Sequence, residues 1–249
     1  MTEQLLIEGL AEKFWSLSGI VPDYPCNIEY AALAAFALPT FPIEALDIVK
    51  ARESARSQNL SIQFPTRNRS LCGCLLATSR AGIILIEATD STDEQRYTIA
   101  HETAHFLLEC WGPLRQAEEV LGEGIVDVLE GRRSPTLDER LEAILSNVPL
   151  RLVSHLMERP EAGLPSMLVL DAEDRADRLA LELLAPFRRL VEFMGQPETP
   201  RGYRSRLSYL TQALGKMNGV PIDPAAAYAQ YILKSLGEPT FRDWLEEDF

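Results

Sequence analysis

Apolar residues recur at helical spacing along most of the chain. Leu6, Leu10, Phe14 and Leu17 form a stripe over residues 2–17, and Gly19 ends it. Asn27 predicts the cap of a second helix running through Phe36 and closed by Pro39, and Pro42 predicts the start of a third that reaches Arg56. The pattern then changes. NLSIQF (59–64), LCGCLLAT (71–78) and GIILIEAT (82–89) are short apolar runs between polar turns, which predicts two or three strands in a meander.

Helical signals resume at Ser91, where Glu94 completes a capping-box pattern ahead of QRYTIAHETAHFLLEC. Trp111-Gly112-Pro113 reads as the stop. Helices are expected near 114–130 and 136–158, separated by GRRSP, and again over 171–184, closed by Pro186. In the tail, Tyr203, Leu207, Leu210 and Leu214 make a stripe that Asn218-Gly219 ends, and Asp223-Pro224 predicts the next helix start. The expected fold class is α+β and mostly helical: a small three-stranded sheet on the 91–110 helix, with a helical insertion and a helical C-terminal region.

With 249 residues, 46% hydrophobic and 24% charged, the chain can bury a sizeable core. A net charge of -13 argues against binding nucleic acid or an anionic membrane over the whole surface. Arg201, Arg204, Arg206 and Lys216 cluster in the tail, but such a cluster reads first as a solvated helix face. No apolar run is long enough to span a bilayer, and acids stand where a secretory signal would carry bases. Cys26, Cys72, Cys74 and Cys110 make no disulfide framework, so the expectation is free thiols in a reducing cytoplasm.

Chemistry concentrates at His101-Glu102-Thr103-Ala104-His105. Helical positions four apart project from one face, so both imidazoles can hold one ion, and zinc accepts imidazole nitrogen. Glu102 flanks that face, where it can take the proton of a water activated at the metal. The chain has three histidines, and by chance this spacing arises about a few times in a thousand. A catalytic zinc needs a third protein ligand. His155 is the remaining histidine, but it sits in LVSHLMER, a helical-looking stretch. Glu109 lies one further turn along the helix, out of reach of the same ion. Glu123 with Asp127, and Glu173 with Asp177, are both Glu-x-x-x-Asp pairs in which the Glu can bind metal and the Asp can orient an imidazole. Spacing does not choose between them.

RYTIAHETAHFLLE (96–109), preceded by GIILIEAT, resembles the signature of the ImmA/IrrE family of metallopeptidases. EDRADRLALELLAP (173–186) is similar to a second block of that family, with Leu179 where Phe is usual. The likeness covers roughly 25–215 and also takes in the N-terminal helices and a tail piece, LTQALGKMNGVPIDPAAAYAQYI, that looks like the family's helix-turn-helix-like end. It implies Glu173 as third metal ligand beside His101 and His105, Asp177 orienting a ligand, and Glu102 as the catalytic base. It implies a zinc endopeptidase whose substrate is a helix-turn-helix repressor in a stress or mobile-element switch. The two-His-one-carboxylate set also suits manganese or iron. The other reading is a non-proteolytic regulator that binds a repressor or DNA and keeps a structural metal.

Glu173 follows His105 by 68 positions, a longer connection than the family pattern uses. The expected organisation is therefore a metallopeptidase domain over 1–190 carrying a helical insertion at 113–160, followed by a helical region at 191–249. The insertion is expected near the mouth of the cleft, and an edge of the 59–89 sheet is expected to hold the peptide by strand addition.

Overall fold

The computed structural model describes residues 3–58, 60, 62, 64–77, 82–129, 132–145, 155–158 and 167–238, the side chains of 123, 129, 142–145, 155–158 and 167–169 excepted. Helix α1 (Glu3–Ser18) ends where Gly19 turns to positive φ. Helix α2 (Ile28–Phe36) starts at Asn27, whose side chain accepts a hydrogen bond from the Tyr30 amide. The helix expected from Pro42 is replaced by strand β1 (Thr40–Ile43) and helix α3 (Ile48–Ser57), which Asp47 caps. Proline lacks the N–H of a central strand, and β1 lies at the sheet edge, where that loss is tolerated.

Strands β2 (Leu71–Ala77) and β3 (Gly82–Glu87) lie where expected. The 59–64 run forms no strand at its described residues, and Leu60, Ile62 and Phe64 pack instead against the cluster beneath α3. The sheet has four strands in the order β1-β3-β2-β4, with β4 at His155–Glu158. β1 runs parallel to β3, while β2 is antiparallel to both β3 and β4. Residues 155–158 were expected in a helix. Their local propensity is overridden by backbone pairing with β2, far away in sequence.

Helix α4 (Thr92–His105) carries the predicted capping box, Ser91 with Glu94. Trp111-Gly112-Pro113 does not stop the chain. Residues Phe106–Trp111 widen into a π-helical turn, and Gly112 stays right-handed and leads into α5 (Gly112–Leu121). The Gly112 amide reaches back five residues to the Leu107 carbonyl, a spacing that absorbs the proline that follows. A 3₁₀ turn (Glu123–Ile125), α6 (Val126–Leu129) and α7 (Leu137–Leu145) follow. Then come α8 (Met167–Leu184), α9 (Phe187–Met194), α10 (Tyr203–Ala213), which runs on into a π turn over Leu214–Asn218, and α11 (Ile222–Ser235). Helix α11 begins just ahead of Asp223-Pro224, a shift within the usual fraying of helix starts.

The sheet separates two apolar layers. Cys74, Leu76 and Leu85 face Ile48, Ala51 and Ala55 of α3. Leu75, Ala77, Ile84 and Ile86 join a larger core formed with α1, α2, α4, α8 and the C-terminal helices. Burial on both faces explains why β2 and β3 read as continuous apolar runs. The mostly helical α+β class is as expected. Among the described residues no helix is long and apolar enough to cross a membrane.

Candidate metal centre

Helices α4 and α8 lie against each other across the main core, with Ala100 and Ala104 of α4 and Ala176, Leu179 and Ala180 of α8 in one buried cluster. Alanines along such a contact let two helices approach closely. Helix α8 therefore brings Glu173 and Asp177 to the His101–His105 face of α4.

Three ligating atoms converge there. His101 Nε2 and His105 Nε2 are 3.1 Å apart, and Glu173 Oε2 lies 3.3 Å from the first and 3.7 Å from the second. Tetrahedral ligands about 2.0–2.1 Å from a zinc ion stand about 3.3–3.4 Å from one another. The three protein edges bracket that value, so the donors fit one ion without rearrangement. Among the described residues His101, His105 and Glu173 form the group of three side chains able to hold a metal.

Each imidazole is braced from behind. His101 Nδ1 lies 2.8 Å from Asp177 Oδ1, and His105 Nδ1 lies 2.7 Å from Glu109 Oε1. Tyr97 Oη also donates to Asp177 Oδ1, at 2.7 Å. A carboxylate can only accept, so both Nδ1 atoms carry protons, which leaves each Nε2 as the ring nitrogen able to offer a lone pair to a metal. His101 and His105 are 1% or less exposed, and Glu102 is fully buried. Burial alone would lower the His101 pKa. The Asp177 and Glu173 carboxylates, with Glu102 nearby, more than offset that and hold it up at about 9. Without a cation the pocket thus takes up a proton, as expected where negative charge exceeds positive.

Glu102 is directed toward the sheet. A Cβ on Gly73 of β2 would collide with Thr98 Cγ2 and would stand 3.0 Å from Glu102 Oε1. Only glycine lets β2 pass this close to α4.

The structure thus brings His101, Glu102, His105, Glu173 and Asp177 into one site. Glu109 lies beside His105, but as an orienting group rather than a ligand. The i, i+4 spacing signalled that role, and sequence reasoning weighed Glu109 only as a metal ligand. No local pattern marks Tyr97, because nothing near it in the sequence indicates that its hydroxyl meets Asp177 of α8. Asp127 pairs with Arg132, and Glu123, in the 3₁₀ turn, falls outside the described side chains. His155 lies in β4 rather than in a helix, and its side chain also falls outside them. The four cysteines form no disulfide, and burial pushes Cys26 up to about 11 and Cys110 up to about 12. Thiols held so high are protonated at neutral pH and are poor metal ligands. Compared with models of protein families, with curated proteins and with solved structures, the chain matches none.

Proposed function

We propose that this chain is a zinc-dependent endopeptidase, with His101, His105 and Glu173 as metal ligands and Glu102 as the catalytic base. One observation carries the reading: three inward-facing donor atoms spaced 3.1–3.7 Å apart, with a buried carboxylate one residue beyond the first histidine. A zinc ion bound there would bring the pKa of a water near 7 and polarise a substrate carbonyl.

The rest of the work falls to the chain. Asp177 and Glu109 keep the imidazoles in the ligating tautomer, and Tyr97 fixes Asp177. Glu102, buried against β2, takes the proton of the attacking water and returns it to the leaving amine. A purely structural metal site would have no use for such a base.

The proposed substrate is a helix-turn-helix repressor in a stress or mobile-element switch, met in the cytoplasm. The likeness of residues 96–109 and 173–186 to the ImmA/IrrE metallopeptidases supports the substrate class. Cysteines without a disulfide suit a reducing compartment, and the net charge of -13 argues against direct action on nucleic acid.

The test compares cells expressing the wild-type chain with cells expressing Glu102→Gln, by mass spectrometry of new protein N-termini. Gln is nearly isosteric and cannot take the proton. N-termini present with the wild type should fall by about 10²–10⁴-fold in formation rate with the variant. Identical sets at similar rates would refute Glu102 as the base.

A further inference from the structure

Strand β4 pairs with β2, the strand that passes beside Glu102. Its residues pair antiparallel with β2, Leu156 opposite Cys74 and Met157 opposite Gly73. Gly73 is the position at which β2 passes the Glu102 carboxylate. Strand β3 occupies the other edge of β2, so β4 covers the row of backbone groups that β2 would otherwise present beside Glu102. That row is where an extended peptide would add to reach the proposed base.

The fit of β4 is short and irregular. It spans four residues against the seven of β2, and its register shifts between Leu71 and Gly73, beside Glu102. It also comes from the connection between the helix bearing His101 and His105 and the helix bearing Glu173. That tether gives it a high effective concentration at the β2 edge without tight intrinsic pairing.

We infer that β4 is a built-in substitute for the substrate strand, occupying the β2 edge beside Glu102 until an extended peptide displaces it. The consequence for activity rests on the peptidase reading. The occupancy itself does not, and it is tested without hydrolysis.

The probe is a fluorescein-labelled peptide with the sequence of residues 153–160, VSHLMERP. Its anisotropy is followed with two chains, both carrying Glu102→Gln so that nothing is cut. One retains β4, and the other carries Leu156→Pro and Met157→Pro, which remove strand donors. The proline chain should bind the peptide at least about 10-fold more tightly, because no tethered strand competes. Equal binding, or tighter binding to the intact chain, would overturn the inference, the latter because the outer edge of β4 would then be the acceptor.

Hydrogen exchange on the intact Glu102→Gln chain keeps the question decidable if the proline chain fails to fold. With about millimolar peptide, the amides of 155–158 should lose protection while those of 71–75 keep it. Unchanged or increased protection at 155–158 would contradict displacement. New N-termini that depend on Glu102 bear on the peptidase reading alone, so the two failures are distinguishable.

Discussion

Helix α8 carries acids at two places, Glu173 and Asp177 about its middle and Glu182 near its C-terminal end, and the two places differ in how they accommodate negative charge. At the first, Glu173 and Asp177 meet two imidazoles whose Nε2 atoms converge. At the other, Glu182 meets the Phe187 amide, which donates to it at 3.0 Å, and the Tyr228 hydroxyl, at 3.4 Å. Burial raises the Glu182 pKa to about 7, and Glu8 adds to the shift. The Glu182 end can thus satisfy itself by keeping a proton. The Glu173 site gathers two imidazoles and carboxylates around one point and calls for a cation. Burial of an acid alone therefore does not mark a site; convergent ligands braced from behind do.

The largest effect that would break this contrast is loss of the ligand itself. Glu173→Ala should lower zinc affinity by well over the 100-fold that marks the upper range for orienting residues, measured by competition with a chromophoric chelator. A near-normal affinity would remove Glu173 from the coordination set. Asp177→Ala and Glu109→Ala should each cost about 10–100-fold, since each only orients an imidazole. Equal losses for the two would sharpen the symmetry between the histidines, and no loss for Glu109 would leave His105 held by packing alone.

The Glu182 end gives the smallest expected effect, and one with a pH signature. Folded, Glu182 keeps its proton to about pH 7, whereas its ordinary value is 4.5. Between those values the native state binds more protons than the unfolded chain, so stability falls as pH rises through the window. Glu182→Gln removes that titration. At pH 8 it should stabilise the fold by about 1–3 kcal/mol, and the gain should vanish near pH 4.5. Denaturant melts at the two pH values check it; a gain that grows on acidification would contradict the assignment.

What the sequence disclosed follows from how local each feature is. The capping box and the His-Glu-x-x-His face of α4 lie within one helix, so their spacing carried them. Glu173 and Asp177 share one turn of α8, but their meeting with α4 depends on tertiary packing, and a family resemblance rather than spacing singled them out. β1 and β4 depend on pairing with strands far along the chain, which no local pattern encodes. Pro42 therefore read as a helix start and LVSHLMER as a helix. The π turn at 106–111 was hidden for a related reason: Trp111-Gly112-Pro113 carries every local mark of a stop, and a widened turn carries the helix through it.

The central claim is that His101, His105 and Glu173 together hold one ion. Zinc K-edge X-ray absorption, on protein purified without a histidine tag and reconstituted with zinc, tests it most directly. The account predicts about one zinc per chain, with two imidazole nitrogens and carboxylate or water oxygen at about 2.0–2.2 Å, and loss of both imidazole signals in His101→Ala/His105→Ala. Less than about 0.2 zinc per chain, or a shell containing sulfur, would contradict it.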